Sequence, residues 1–463
     1  MVYLNNLDIL IIILFFIILL TIGFLSAKKG EHDRESFLLN NRNVGLGLFI
    51  MTNVSTWYGG ILGVGEFTYK YGILSWLTQG LPYYIFAFVF AYFFAEKIRN
   101  SVLITIPEKI EEVYGKKTAA VSSILIFFLV QPAPYIFMVA SLLSLIIGTS
   151  LLTSLVISAL FSSVYLLKGG YKADLYTDVF QFFVMFLGFI LIVVVSFSLL
   201  GGYNYLDANL PDGYLSIPDS ISPHYIIVWF IIASWTFADP GFHQRCYAAK
   251  SAKTAKYGIL ISIIFWALFD FLTTTTGLYA RAYLPNLTTP VLAFPLFADK
   301  ILVPGLKGLF FIAMFATILS TSNSFTFLSA STFGNDLIKY IMPNSDEVKR
   351  VFFVKIGLAV TIIISVLIAY FYNSVIEIWY SIGSVCIPGL ILLIISSYYK
   401  KFRISNSTAL IEIIISTVVS FLWLISKSTI IPEQLLFIEP MIAGLLVGMI
   451  IHLWGMMNIK KLS

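Results

Sequence analysis

Three stretches of this sequence place oxygen-rich side chains inside long apolar runs. They are Met51-Thr52-Asn53-Val54-Ser55-Thr56-Trp57-Tyr58-Gly59-Gly60, Trp235-Thr236-Phe237-Ala238-Asp239-Pro240-Gly241, and Thr317-Ile318-Leu319-Ser320-Thr321-Ser322-Asn323-Ser324. Hydroxyls and main-chain carbonyls are hard, neutral donors, which suits a monovalent cation such as sodium that must also be released. Adjacent Ser and Thr can supply two hydroxyls, and carbonyls freed where a helix breaks can supply others. Packing competes with this chemistry, because Ser and Thr also bond back to the i−4 carbonyl and small residues let helices approach. Two acids stand in the same setting. Asp178 suits either ion coupling or a helix start near Lys172, and Asp270 a structural hydrogen bond or a functional charge.

The elements that position these groups follow from composition. Of 463 residues, 59% are hydrophobic and 11% charged, which is too apolar for a soluble interior, so lipid must be the solvent. Thirteen apolar runs are long enough to cross, near 7–27, 44–66, 73–95, 118–147, 151–168, 174–201, 225–245, 257–280, 306–335, 351–372, 375–398, 405–426 and 434–457. They lack the alternation of lipid-facing strands, so the fold class is an all-α polytopic membrane protein rather than a barrel. Most of the 29 Lys and Arg, including Lys28, Lys29 and Arg245, fall in one alternating set of loops. Lys70, Arg281, Lys300, Lys307 and Lys427 lie on the other side and Lys355 inside a span. The positive-inside rule then puts the N-terminus outside, the C-terminus in the cytoplasm, and the chain in the plasma membrane. Asp8 precedes the first run and no basic residue does, so that run reads as a retained helix and not a signal peptide. The net charge of +5 is small and scattered, which argues against nucleic acid. Neither Cys246 and Cys386 nor the four His form a disulfide framework or metal motif. Lipid is the expected surroundings, and neither an obligatory protein partner nor an attached soluble module is expected.

The first two polar stretches lie five spans apart. Matched interruptions in two halves point to a transporter's central site. With Asn53-Val54-Ser55, Ile106-Pro107-Glu108, Gly169-Gly170, Tyr176-Thr177-Asp178, Gln181, Gln244-Arg245, Ala248-Ala249-Lys250, and Ser320-Thr321 ahead of Asp336, the chain resembles the solute:sodium symporter family through nearly its whole length. The resemblance implies a LeuT-like five-plus-five inverted repeat with one helix before it and two after. Its parts are residues 1–43, a first repeat 44–201, an outer loop 202–224, a second repeat 225–400, and two closing helices in 401–463. It also implies a sodium site from the carbonyls of Met51, Val54 and Thr317 and the hydroxyls of Ser320 and Thr321. A possible second sodium would use Asp178, Ser320, Asn323 and Ser324, although Asn323 stands where relatives with that site have serine. Implied solute contacts are Asn53, Ser55, Trp57, Tyr58, Ser75, Thr78 and Trp235, with packing the competing role for both tryptophans.

That solute set is aromatic and hydroxylic without a fixed charge, so an amino acid, monocarboxylate or pantothenate-like compound fits better than a sugar. The expected activity is sodium-coupled uptake by alternating access, with no enzymatic step. A proton-coupled carrier using Asp178, Asp270 or His243 is the rival on the same fold. A membrane enzyme lacks converging acid, base or metal residues in the sequence.

Overall fold

Backbone amides inside lipid can be satisfied only within the chain, and apolar runs of this length do so as helices. The computed structural model describes residues 2–26, 33–161, 164–217, 221–343, 346–372, 374–427, 431, 435 and 437–462. Lys28, Lys29 and the expected ends at 27 and 434 lie outside the described residues. We label the main helices α1 (Asn6–Ser26), α2 (Leu46–Trp57), α3 (Ile61–Tyr71), α4 (Leu74–Asn100), α5 (Ile106–Leu129), α6 (Ala133–Ile147), α7 (Leu151–Phe161) and α8 (Leu166–Leu200). They continue with α9 (Pro223–Ala233), α10 (Pro240–Ala248), α11 (Ala252–Tyr283), α12 (Leu306–Ser331), α13 (Glu347–Tyr372), α14 (Val375–Tyr398), α15 (Asn406–Ser426) and α16 (Pro440–Leu462).

Eleven helical stretches among the described residues are long and apolar enough to cross a bilayer. Two of the thirteen expected runs are not among them. The second is divided into α2 and α3, of 12 and 11 residues, and the fifth is the 11-residue α7. The run expected at 118–147 begins earlier, at Ile106, and is interrupted between Leu129 and Ala133, where Pro132 precedes α6.

The stretch Leu306–Ile341, which contains α12, is 89% buried over its most apolar window, against 17% for α1. α12 is therefore the axis of the bundle, and α1 is a rim helix. α8 and α2 pack against it, and α11 packs against α2. Asp8 at the start of α1 accepts from the amides of Gly305 (2.7 Å) and Gly308 (2.8 Å), so it caps the positive end of the axial helix. A single bridge ties the loop before α2 to the end of α10, through Val44 N to Ala248 O (3.1 Å) and Lys250 N to Val44 O (2.9 Å). The two interrupted crossings are thus joined at one end.

Candidate ion and solute site

Both interruptions have local causes. In α9/α10 the chain narrows to a 3-10 turn over Ser234–Ala238 and then extends at Asp239. Asp239 accepts from Phe242 N (3.0 Å), and Pro240 opens α10 where its missing amide costs nothing. This break lies where the sequence places it. The other is displaced. α2 is regular through Met51 and Val54, and the helix gives way only at Tyr58–Gly60. The polar residues before it are accommodated in the helix: Thr52 donates to Phe49 O (3.3 Å) and Ser55 to Thr52 O (3.3 Å). The glycine pair has a different purpose, since a Cβ on Gly59 would lie 2.7 Å from Thr321 Cγ2 and closer still to its Cβ and Oγ1.

That close approach joins α2 to α12. Thr317, Ser320, Thr321 and Ser324 share one face of α12 by their spacing. Thr321 Oγ1 donates to Thr56 O (2.6 Å), Ser320 Oγ to Asp178 Oδ1 (2.6 Å), and Ser324 Oγ to Asp174 Oδ2 (2.6 Å). Thr317 Oγ1 turns back to Ala313 O (2.7 Å). Thr56 Oγ1 stands in the middle, donating to Asp178 Oδ2 (3.1 Å), and lies 3.4 Å from Ser320 Oγ and 3.3 Å from Ser324 Oγ. Every one of these side chains is buried.

Arg245 closes this cluster. Its Nη2 donates to Thr56 Oγ1 (2.5 Å), to Thr52 O (3.3 Å) and to Ser324 Oγ (3.4 Å), and lies 3.8 Å from Asp178 Oδ2. It is 2% exposed. Arg245 is therefore not a loop charge as the sequence count had it. Asp178 is not a first-turn residue either, because α8 begins at Leu166, with a single non-helical residue at Gly170. Asn323 is not brought to this group: its Nδ2 donates to Tyr165 OH and its Oδ1 has no hydrogen-bond partner.

Above the cluster, between the two interruptions, lies an open cavity of about 280 Å³. Of the expected solute contacts, Asn53, Trp57, Tyr58 and Trp235 line it. Ser55, Ser75 and Thr78 do not; Ser55 and Thr78 bond to their own helices, the latter to Leu74 O (2.9 Å). Gln79 and Tyr83 face the cavity from that helix instead, a register shift that hydroxyl content alone does not reveal. Three acidic or basic side chains also border it: Asp239, Arg245 and Asp270. Asp270 accepts from Tyr84 OH, the partner that the sequence does not identify. Sequence reasoning also missed Thr56 and Asp174. The four-residue spacing of Asp174 and Asp178 was the available signal, since it puts both acids on one face of α8.

The model of the sodium:solute symporter family matches residues 37–416. The chain is 26% identical over 475 residues to the osmoregulated proline transporter OpuE of Bacillus subtilis, covering 94% of this chain and 93% of that protein. It is 24% identical over 396 residues to the high-affinity choline transporter 1 of Drosophila melanogaster, covering 80% of this chain but only 63% of that protein's length. Among solved structures, a Na+-coupled sialic acid symporter in a substrate-bound outward-open state superposes with a TM-score of 0.83 at 17% identity, covering 99% of this chain and 98% of that one.

Proposed function

The chain belongs to the sodium:solute symporter family, and we propose that it couples inward sodium flow to the uptake of a small organic solute by alternating access. The family and the relatives are transporters, which supports a carrier and not an enzyme. On this reading the chain crosses a cell membrane thirteen times, with α2/α3 and α7 as the two short crossings, the N-terminus outside and the C-terminus in the cytoplasm. Residues 44–201 and 225–400 form the two repeats.

One observation carries the reading: the Thr321 hydroxyl donates to the last turn of α2, immediately before that helix breaks. Thr321 and Ser320 direct their hydrogens outward, to Thr56 O and Asp178, and this leaves their oxygen lone pairs free for a cation. The carbonyls of Met51, Val54 and Thr317 complete the proposed sodium shell, and because the helices are unbroken at all three, these oxygens would serve the ion while also accepting within their helices. A sodium there ties α2 to α12 and favours the outward-facing form to the extent that it binds that form more tightly. The membrane potential adds about 2.3 kcal/mol per charge for each 100 mV. Of the oxygens called for a second sodium site, Arg245 bonds Ser324 Oγ (3.4 Å) and lies 3.8 Å from Asp178 Oδ2, and a cation already at these two favours one ion per cycle.

Uptake of a radiolabelled solute panel into proteoliposomes, with sodium or potassium as the outside cation, tests the proposal. Sodium should drive accumulation in the wild type, and Ser320→Ala and Thr321→Ala should each raise the sodium half-saturation constant at least about tenfold, roughly 1.4 kcal/mol. Accumulation driven by a pH gradient in sodium-free buffer and unaltered in both variants would refute sodium coupling.

A further inference from the structure

The sequence gives the solute site no fixed charge, but the cavity is bordered by a carboxyl with no paired cation among the described residues. Of the three acidic or basic side chains on its border, Arg245 is turned to the floor, where it bonds Thr56 and faces Asp178. Asp239 is held at the N-terminus of α10 through Phe242 N, where the helix end offers partial positive charge. Asp270 has neither form of compensation. No cationic side chain is paired with it among the described residues, and its hydrogen-bond partner is the neutral phenol of Tyr84. It is 8% exposed, on a helix inside the membrane region. An ionised carboxylate in such a place needs a counter-charge.

The cavity wall is suited to receive that charge from a ligand. Trp57, Tyr58, Tyr83 and Trp235 border the same space as Asp270. Trp57 is fixed by ring contacts with Trp266 (5.0 Å) and Tyr83 (5.3 Å), and Tyr58 by donation to Trp266 O (2.6 Å). Aromatic faces attract an organic cation through the ring quadrupole, most strongly where water is excluded. Also at the cavity, Asn53 Nδ2 and Gln79 Nε2 are buried donors with no hydrogen-bond partner, placed to take an oxygen of the same ligand. We infer that the solute carries an organic ammonium centre seated on these rings with Asp270 as its counter-ion, and an acceptor oxygen that meets Asn53 and Gln79. This rests on the symporter reading for the cavity being the solute site, and it narrows the solute class within that reading.

The test is isothermal titration of the purified full-length protein in sodium buffer with matched pairs of probes. These are 2-aminoethanol against propan-1-ol, and 2-hydroxyethyl-trimethylammonium against its uncharged carbon isostere 3,3-dimethylbutan-1-ol. At least one cation should bind about tenfold or more tightly than its neutral twin. Asp270→Asn keeps the shape and an acceptor for Tyr84, and should bring that ratio to within about threefold. No cation preference in the wild type, including binding of neither member of both pairs, overturns the inference. A preference that survives Asp270→Asn, or that Asp239→Asn abolishes in its place, overturns the assignment to Asp270. Sodium-dependent thermal stabilisation, measured on the same samples, confirms folding and separates the two readings. A sodium response without ammonium preference leaves the symporter intact and removes this inference, whereas ammonium preference without any sodium response does the reverse.

Discussion

Gly59 gives a direct test of the junction between α2 and α12. A methyl group there would stand 2.7 Å from Thr321 Cγ2 and closer to Cβ and Oγ1, whereas ordinary contacts begin near 3.4 Å. The atom it meets first is the branch point of a short side chain on the most buried helix, so Thr321 has little room to swing aside. Relief requires α2 and α12 to separate by about 1 Å, and overpacking of this kind costs about 1–3 kcal/mol. The same shift stretches the 2.6 Å bond from Thr321 to Thr56 O to about 3.6 Å, beyond hydrogen-bond range. We expect Gly59→Ala to raise the half-saturation constant for sodium in proteoliposome uptake by about tenfold or more, equivalent to about 1.4 kcal/mol of ion binding. Gly47→Ala is the control: it lies on the same helix with nothing within 4 Å of its added Cβ, and should leave sodium dependence unchanged. A folded Gly59→Ala protein with a sodium constant within about twofold of wild type would show that the approach of α2 to α12 does not shape an ion site.

Two further expectations concern charge. Arg245→Ala leaves Asp174 and Asp178, both fully buried, without a guanidinium, and should lower stability by about 3–5 kcal/mol in thermal melts. Asp178→Asn should recover part of that loss, whereas Arg245→Lys should recover little, because the fork to Thr52 O, Thr56 Oγ1 and Gly241 O is gone; a wild-type melt for Arg245→Ala contradicts this. At the end of the bundle where α5 begins, Arg34 pairs with Glu108 and donates to Asn335 Oδ1 (2.6 Å), while Thr105 donates to Asp336 Oδ1 (2.8 Å). Cutting this tie with Arg34→Ala should raise labelling of a cysteine introduced at Thr332, in a background lacking Cys246 and Cys386, by about tenfold, in line with the roughly 1.5–3 kcal/mol of a charged hydrogen bond. Unchanged labelling would mean that the tie does not hold this end shut.

The sequence showed helices and their polar interruptions readily, because lipid imposes one structural solution on apolar runs and Asp-Pro-Gly or Gly-Gly marks where it fails. It was less informative where a side chain can bond in two directions. Ser55 is an expected solute contact in the sequence, yet it and Thr52 bond to their own helix, whereas Thr56, one position further, turns out to join α8, α10 and α12. Ser75 and Thr78 came from the family resemblance alone, and a shift of one position gave the cavity Gln79 instead. Arg245 was misread because a positive charge near a helix end is usually a loop charge; its carboxylate partner is 67 positions upstream on another helix, and no local pattern contains that distance.

Thr56 and Arg245 bear on how ion and solute would act together. Both border the cavity, and both are bonded within the cluster beneath it. Coupling requires that each ligand favour the same state of a shared element, since a ligand shifts an equilibrium only by its differential affinity. In this fold the shared element is the last turn of α2. Its inner side gives Thr56 O to Thr321, and its end carries Trp57 and Tyr58 into the cavity. An ion that draws α12 onto that turn fixes the base of both rings, so the aromatic wall is set for the solute before the solute arrives. A solute that holds those rings in turn keeps Thr56 O against Thr321. If ion and solute bind as proposed, the two sites stabilise each other through one helical turn, without a longer chain of intermediaries.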